Sequence, residues 1–435
     1  MELKRVLIIS PYFPPSNAAD MQRIRMSLPY FKEFGWEAEV VTVYFRHSEM
    51  VKDELFLESI PPETIIHYVD AFSKRWTGKF GLGSLALRSL WHYKQKVNNL
   101  LKSKKFDLIY FSTTQFPLCI LGAYWKKRFG IPYVIDMQDP WHSEYYQDKP
   151  KNERPKKYWF SYRLNKYLEP IAMRNVNGII SVSESYIKKL TQRYKNITSI
   201  PTSVIPFGAY NKDFEITIIH KADLKPAFNK NKDFIHLVYI GRGGYDMHDA
   251  IKLLFNAFKK GLGDFPDQFQ RIRFHFIGTS YAPKGEGKRT IYPLANELGI
   301  STYVEEQTDR ISFYRSIRTL LEADALIVPG SNDPQYTASK IYPYILAKKP
   351  LIGIFNSLSS SSKIIQDCNA GIVSDLTDEK KATEEIFSFL HNTTLLKKQI
   401  NLTDWSKFSE FSAESMTMKQ CELFNKTLTS YQSSR

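Results

Sequence analysis

The chain has 435 residues, a length typical of two or three domains, and its 43% hydrophobic and 24% charged residues are typical of a globular protein. It contains no run of twenty apolar residues, and the apolar run after Arg5 is too short for a signal peptide, so we expect a cytoplasmic protein. The three cysteines, Cys119, Cys368 and Cys421, lie far apart, and their spacing indicates neither a disulfide framework nor a zinc ribbon.

The formal net charge of +15 is concentrated in two windows of the sequence. Residues 73–106 contain nine basic residues and no acidic one, and residues 149–174 contain eight basic and two acidic residues. Apolar residues at 82–91 alternate with bases as in an interfacial helix. This pattern suggests peripheral docking on an anionic membrane surface, such as the inner face of the plasma membrane. The alternatives are a solvated cationic face and nucleic-acid binding. No nucleic-acid-binding motif accompanies the bases, so we expect no nucleic-acid partner.

In chain order, apolar runs predict strands over residues 6–10, 37–43, 107–112, 132–137, 178–183 and 203–206, with a helix over 22–34. A second series of strands is predicted over 234–240, 271–277, 323–328, 350–354 and 371–374, with helices over 248–260 and 312–323. The polar stretch 210–232 has no clear period and is interpreted as an interdomain connection. A final amphipathic helix is predicted over 405–430.

Apolar runs without polar alternation are typical of parallel strands covered by helices on both faces. We therefore predict an α/β fold with two doubly wound Rossmann-like domains facing across a cleft, residues 1–208 and 209–404. Residues 405–435 are expected to form a helix that packs back towards the N-terminal domain.

Candidate site residues in the first half follow two predicted strands. The loop after the first strand carries Phe13 and Pro14 and leads into a helix with Arg23. The strand at 132–137 ends near Asp136, Asp139 and His142, where groups that handle an acceptor lie in this architecture. The alternatives are an ordinary strand-to-helix loop and a carboxylate that caps a turn.

Candidate anion-binding residues in the second half also follow predicted strands. The loops after the strands predicted at 234–240 and 271–277 carry glycines, an arginine and hydroxyls. The loop after the strand predicted at 323–328 precedes a helix and ends in hydroxyls and a lysine. Glycines permit close approach of a phosphate, and arginine or lysine binds it. Lys340 as a merely solvated residue is the alternative, and Pro343 is expected to kink its helix or confine it to one turn. The residues concerned are Gly241, Arg242, Gly243, Gly278, Thr279, Ser280, Thr337, Ser339 and Lys340.

Several segments resemble the bacterial GT-B-fold glycosyltransferases, in particular relatives of the retaining family 4, over nearly the whole chain. These segments are VLIISPYFPPSNAADMQRIRMSLPYFKEFGWEAEVVTV, IPYVIDMQDPW, NGIISVSES, SVIPFG, VYIGRGG and TASKIYPYILAKKPLIG. The resemblance implies an N-terminal acceptor domain and a C-terminal nucleotide-sugar donor domain. It implies contacts of Gly241 and Arg242 with the donor diphosphate, and of Ser339 and Lys340 with the nucleotide sugar.

The sequence departs from the family pattern at three places. Residues 245–249 contain no lysine, Ala18 and Ala19 replace a glycine pair, and Gln335 and Pro343 replace a pair of glutamates of which the second holds the donor ribose in the family. We expect Asp333, Tyr336 and Thr337 to replace the contacts of those glutamates.

The implied reaction moves a sugar from a nucleotide-diphosphate sugar to a glycan or lipid-linked acceptor in cell-surface polysaccharide synthesis. No DxD-type metal motif is present, so we expect neither a metal nor a cofactor. Arg242 and Lys340 are the candidates for stabilising the leaving diphosphate, and Asp139 and His142 for orienting the acceptor or acting as base. The alternatives are a catalytically inactive binding protein with this fold and a nucleotide-sugar epimerase.

Overall fold

The computed structural model describes residues 2–142, 144, 147, 154, 158–334, 339–395 and 402–433. The chain divides into two compact units. Unit 1 comprises residues 1–208 and 413–435, and unit 2 comprises residues 209–412. Each unit contains one sheet in which all strand pairs are parallel.

Unit 1 is built on a seven-stranded sheet of order β3-β2-β1-β4-β5-β6-β7. Its central strands are buried because helices cover both faces, as their unbroken apolar runs require. The strands are β1 Lys4–Ile9, β2 Trp36–Val43, β3 Ile65–Val69, β4 Leu108–Ser112, β5 Tyr133–Met137, β6 Gly178–Ser181 and β7 Thr202–Val204. The helices are α1 Gln22–Ser27, α2 Lys74–Thr77, α3 Leu85–Ser103, α4 Ile120–Phe129, α5 Tyr158–Met173 and α6 Glu184–Arg193.

Unit 2 is built on a six-stranded sheet of order β10-β9-β8-β11-β12-β13. The strands are β8 Ile235–Ile240, β9 Ile272–Ile277, β10 Val304–Gln307, β11 Ala325–Pro329, β12 Leu351–Phe355 and β13 Ile372–Asp375. The helices are α7 Asn211–Ile219, α8 His248–Asp264, α9 Pro266–Phe269, α10 Tyr292–Glu297, α11 Phe313–Glu322, α12 Ile341–Leu346, α13 Ser360–Asp367, α14 Glu379–Thr394 and α15 Trp405–Phe408.

The predicted fold class of two Rossmann-like α/β domains with parallel sheets is confirmed. The sequence analysis missed two strands, β3 and β10, and both lie at an edge of their sheet. Both strands are partly exposed and polar residues interrupt their sequences, so they lack the continuous apolar run that marked the central strands.

Two predictions of local structure were wrong. The stretch 210–232 is not merely an irregular connection, because α7 forms within it and packs against α11. The helix predicted over 22–34 ends at Ser27. Leu28 still has helical dihedral angles and donates to the Ile24 carbonyl oxygen at 3.0 Å, but Pro29 has no N–H with which to continue the series of backbone hydrogen bonds.

The last helix of the chain belongs to unit 1. This helix, α16 Ala413–Ser433, contacts α1, β6 and β7. Its buried Phe424 ring packs against the rings of Phe31, Trp36 and Tyr110, at centroid distances of 6.3, 5.3 and 5.0 Å. Within the described ranges, no helix has the length and apolar character needed to cross a membrane.

Candidate functional site

Three neighbouring strands of unit 2 end at one edge of its sheet, and their following loops carry the predicted anion-binding residues. Because β9, β8 and β11 are adjacent and parallel, the loops that begin at Gly241, Gly278 and Gly330 lie side by side. The Gly243 N–H donates to the Thr279 carbonyl oxygen at 2.9 Å, which joins the first two loops. This edge is where doubly wound folds bind ligands.

Lys340 contacts the loop after β8, although it lies about a hundred residues further along the chain. Its Nζ donates to the Tyr239 hydroxyl at 2.8 Å and lies 4.6 Å from the centroid of that ring. A Cβ atom placed on Gly241 would lie 2.1 Å from this Nζ, so the close approach requires glycine. The Tyr239 hydroxyl in turn donates to the Arg242 carbonyl oxygen at 2.9 Å.

The electrostatics of this contact are unusual for a lysine. Burial, with a smaller contribution from the charge of Arg242, lowers the pKa of Lys340 to about 7. No carboxylate among the described residues forms an ion pair with Lys340, so its positive charge lacks local compensation. A partly buried cation of this kind favours an anionic ligand, because the ligand would restore the stability of the charged form.

Arg242 is held differently from Lys340. Its guanidinium forms two parallel hydrogen bonds to Asp246, both of 2.6 Å, and each side chain of the pair is partly exposed. The Arg242 guanidinium also lowers the pKa of Asp246 through these hydrogen bonds. A bidentate arginine can bind a phosphate as it binds this carboxylate, so a ligand diphosphate would compete with Asp246.

A buried carboxylate fixes the shape of the neighbouring loops. Glu306 on β10 accepts hydrogen bonds from the Thr279 hydroxyl at 2.7 Å and from the backbone N–H groups of residues 290, 291 and 292 at 3.0, 3.0 and 2.7 Å. The Thr290 hydroxyl donates to the Gly243 carbonyl oxygen at 2.5 Å. These hydrogen bonds fix the conformation of the loops after β8 and β9.

The helix after Lys340 is anchored to the same strand end. The buried Tyr344 hydroxyl accepts from the Ile240 N–H at 2.7 Å and donates to the Ile240 carbonyl oxygen at 3.2 Å. Pro343 lies in the first turn of α12, which is only six residues long. Tyr344 thereby fixes the position of Lys340 relative to Gly241.

The remaining donor-side predictions are distributed around this edge. Gly278 turns the chain after β9 with φ of +73°, and the Ser280 N–H donates to the Thr308 carbonyl oxygen at 3.1 Å. Asp333 and Ser339 are exposed in the segment between β11 and α12. Tyr336 and Thr337 lie outside the described residues.

In unit 1, Arg23 and Asp136 form a buried ion pair with a 2.6 Å bond between Nε and Oδ2, and their side chains are 2% and 0% exposed. Arg23 also donates to the carbonyl oxygens of Ile205 and Pro206, at 2.7 and 3.3 Å. The pair links α1, β5 and the segment after β7. Both side chains were predicted as acceptor-side residues. In the structure both are buried, so neither is accessible to a ligand from solvent.

The other acceptor-side candidates have different environments. Phe13 and Pro14 are buried in the loop after β1, and Asp139 is exposed after β5. Asp139 lines a cavity of about 340 Å³ within unit 1, and partial desolvation raises the pKa of its carboxyl group. His142 is buried, its ring lies 4.8 Å from that of Tyr162, and burial lowers its pKa. His142 does not line the cavity.

The sequence analysis did not single out Tyr239, Asp246 or Glu306. Tyr239 lies near the end of β8, two residues before Gly241, and a tyrosine at this spacing was the available signal. Glu306 could be recognised only after β10 had been identified. Asp246 lies four residues after Arg242, a spacing at which opposite charges meet on a helical turn.

The comparisons with known proteins address the family and the fold. The model of Glycosyltransferase Family 4 matches residues 31–209, which lie almost entirely in unit 1 and cover less than half of the chain. Residues 31–209 are therefore similar to glycosyltransferase family 4, in agreement with the resemblance seen in the sequence. A search of curated proteins finds no match to the sequence.

Solved structures similar to the chain have the same two-unit fold at low sequence identity. Sucrose-phosphate synthase from Thermosynechococcus elongatus has a TM-score of 0.58 at 13% identity, with 97% of this chain and 98% of that chain covered. HepE from Anabaena in complex with UDP has a TM-score of 0.54 at 14% identity, with 96% and 98% covered. The lipopolysaccharide outer core galactosyltransferase WaaB has a TM-score of 0.53 at 14% identity, with 98% and 99% covered.

Proposed function

We propose that unit 2 binds a nucleotide-diphosphate sugar through the edge formed by the loops after β8, β9 and β11. The observation that carries this proposal is the Lys340 ammonium, partly buried against Gly241 without a carboxylate partner among the described residues. HepE, a similar structure, has been solved with UDP-glucose. A diphosphate bound at this edge would supply the anion that Lys340 lacks, and Arg242 lies on the same loop as Gly241.

The proposed reaction transfers the sugar without a metal ion. As the bond between the sugar and the diphosphate breaks, negative charge develops on the diphosphate, and the cations of Lys340 and Arg242 stabilise it. Each preorganised donor of this kind contributes about 2–4 kcal/mol to the transition state. Asp139, at the carboxyl edge of the unit 1 sheet, is proposed to orient the acceptor hydroxyl.

The test is a thermal-shift panel of nucleotide sugars followed by an assay of nucleotide release with each sugar that stabilises the protein. Arg242→Ala is expected to lower turnover by about a hundredfold or more. Arg271→Ala is the matched control, because Arg271 precedes the amino end of the neighbouring strand β9, whereas Arg242 follows the carboxyl end of β8. Equal activity of the two variants, or a panel in which no nucleotide sugar binds, would contradict the proposal.

We further propose that the acceptor is a glycan or lipid-linked sugar used in cell-surface polysaccharide synthesis, and that unit 1 docks on an anionic membrane. Trp76, Phe80 and Trp159 are 66%, 75% and 64% exposed, and the bases Lys79 and Arg163 lie over the rings of Trp76 and Trp159. Bases combined with exposed aromatic rings are typical of interfacial binding, and each base near anionic lipid contributes about 1 kcal/mol.

Two residues of the predicted interfacial helix do not contribute to such a surface. Leu85 and Arg88 are buried, and Arg88 donates to the carbonyl oxygens of Gly83, Phe72 and His47 at 3.2, 3.0 and 2.9 Å. Arg88 therefore connects loops within unit 1 and does not face a membrane. Much of the window at 149–174 before α5 lies outside the described residues.

Flotation with vesicles tests the docking proposal. We expect the protein to float with vesicles that contain phosphatidylglycerol and to remain unbound with pure phosphatidylcholine. Phe80→Ser should reduce flotation, whereas Ile219→Ser, which alters an equally exposed apolar side chain of unit 2, should not. Flotation that is independent of anionic lipid would refute the proposal.

A further inference from the structure

The cavity in unit 1 has a composition that identifies the kind of ligand it binds. It lies at the carboxyl edge of the sheet, where the segments after β4 and β5 meet α5 and the segment that leads into α3. Its volume of about 340 Å³ is within the range of pockets that bind small molecules.

One wall of the cavity is aromatic. The rings of Phe116 and Trp141 stack at a centroid distance of 5.5 Å with an interplanar angle of 19°, and each side chain is only 5% exposed. Phe160 lies against Gly81, where an added Cβ atom would be 2.9 Å from its ring. The small exposed parts of these rings give the cavity apolar contacts for the C–H groups of a ligand.

Two amide groups supply oriented hydrogen-bond donors. The Gln115 side-chain oxygen accepts from the Ala86 N–H at 3.1 Å, and the Asn165 oxygen accepts from the Trp141 indole N–H at 3.2 Å. These bonds fix which end of each amide is the oxygen. The NH₂ groups of Gln115 and Asn165 have no hydrogen-bond partner within the described ranges, and both residues line the cavity.

The charge of the described lining disfavours an anionic ligand group. Among the described residues that line the cavity, Asp139 is the one charged side chain, and neither lysine nor arginine is present. A phosphate would therefore meet a carboxylate and no cation of the described lining. An alkyl chain would fill the apolar surface but would displace water from the two amides and Asp139 without replacing its hydrogen bonds, which is unfavourable.

We propose that this cavity binds an uncharged pyranose ring of the acceptor. The C–H face of the sugar packs on Phe116 and Trp141, its hydroxyls accept from Gln115 and Asn165, and one hydroxyl donates to Asp139. The exposed Phe80 and Trp159 directly adjoin the lining residues Gly81 and Phe160 in the sequence, which suits a sugar attached to an apolar carrier. The inference rests on the proposed function, since it names the acceptor of that transfer.

Two near-isosteric variants remove the donors and preserve the structural bonds. Asn165→Asp keeps an oxygen for the Trp141 indole, and Gln115→Glu keeps an oxygen for the Ala86 N–H. The matched control is Asn98→Asp, because the Asn98 oxygen accepts from the Trp125 indole at 3.1 Å and Asn98 does not line the cavity.

The assay is a titration of ¹⁵N-labelled protein, without donor, with the octyl glycosides of glucose, galactose, mannose and N-acetylglucosamine. The chain has seven tryptophans, and the Trp141 indole signal is assigned by its loss in Trp141→Phe. We expect saturable shifts of this signal with at least one glycoside. We expect about tenfold weaker binding to Asn165→Asp and to Gln115→Glu, and unchanged binding to Asn98→Asp.

Three outcomes would overturn the inference: no glycoside shifts the Trp141 signal, both cavity variants bind as tightly as the unaltered protein, or inorganic phosphate shifts the signal and neutral glycosides do not. Donor binding is measured separately by calorimetry with UDP-glucose. A failure of that measurement with intact glycoside binding would refute the proposed donor site and leave the cavity assignment standing. The reverse result would refute only the cavity assignment.

Discussion

The environment of Lys340 predicts that the proposed donor binding depends on pH. In the free protein its pKa is lowered to about 7, chiefly by burial. A diphosphate placed beside the ammonium favours the charged form and moves the pKa back towards the ordinary lysine value of about 10.4. Binding therefore takes up a proton whenever the free lysine is neutral.

The size of the effect follows from these two pKa values. For a pKa of about 7 in the free protein and about 10.4 in the complex, affinity falls about tenfold between pH 6 and pH 8, or about 1.4 kcal/mol. Proton uptake per bound ligand rises from about 0.1 at pH 6 to about 0.9 at pH 8. Only a group that is mostly neutral in the free site and charged in the complex produces this pattern.

Calorimetry in two buffers with different ionisation enthalpies measures both quantities. UDP-glucose is the suitable probe, because both of its phosphates are esterified and do not titrate in this range, unlike the terminal phosphate of UDP. Lys340→Arg is the control: arginine stays charged, so its affinity should vary little with pH and its proton uptake should be close to zero. Equal affinities at pH 6 and pH 8 for the unaltered protein, with no proton uptake, would refute the assignment of Lys340 to the diphosphate.

Four further predictions concern the two units separately. Lys340→Met should raise the free energy of unfolding at pH 7, measured by urea titration. Below its folded pKa of about 7 the lysine is charged in the folded protein, and burial penalises that charge. The stability gained by the methionine variant should shrink as the pH rises towards 10. Asp246→Asn removes the carboxylate that competes with the ligand for Arg242. Because an exposed ion pair is worth about 0.2–1 kcal/mol, the variant should bind UDP-glucose up to about fivefold more tightly in calorimetry. Weaker binding would show that Asp246 instead orients Arg242. Glu306→Gln should lower the free energy of unfolding by about 1.5–3 kcal/mol, because the buried carboxylate accepts four hydrogen bonds, whereas Glu297→Gln on the exposed side of α10 should change it little. Arg23→Met leaves Asp136 charged and buried, so urea unfolding should show a loss of about 3–5 kcal/mol, and a loss below about 1 kcal/mol would contradict a structural role for the pair.

The sequence predicted the central strands because burial on both faces imposes a simple pattern. A strand such as β1 or β8 must be apolar at nearly every position, and the loop that follows must emerge at the carboxyl edge. That geometry places Arg242 and Lys340 at one edge although they are almost a hundred residues apart. Edge strands such as β10 lack the pattern, and with β10 the role of Glu306 also escaped prediction.

Side-chain partners could not be read from the sequence, because they depend on rotamers and on distant segments. Arg88 stands among bases on an amphipathic helix, yet it is buried and bonded to three carbonyl oxygens. Asp136 stands at a strand end suited to a ligand, yet Arg23 from α1 neutralises it. In both cases the residue type and its position were compatible with a surface role, and only the fold brought the competing partner.

The two cations of unit 2 are suited to different parts of the proposed reaction. Arg242 already has a carboxylate, so binding the nucleotide sugar exchanges one anion for another and changes the free energy of substrate binding little, which leaves the contribution of Arg242 to the transition state. Lys340 pairs with no carboxylate in the described part of the chain, so the desolvation cost of its charge is present before the ligand arrives and is relieved when the ligand binds. The relief grows as the sugar departs, because the diphosphate then carries more negative charge than in the bound nucleotide sugar. The protonated Lys340 therefore interacts more strongly with the diphosphate in the transition state than in the bound substrate. Stronger stabilisation of the transition state than of the substrate is the requirement for catalysis.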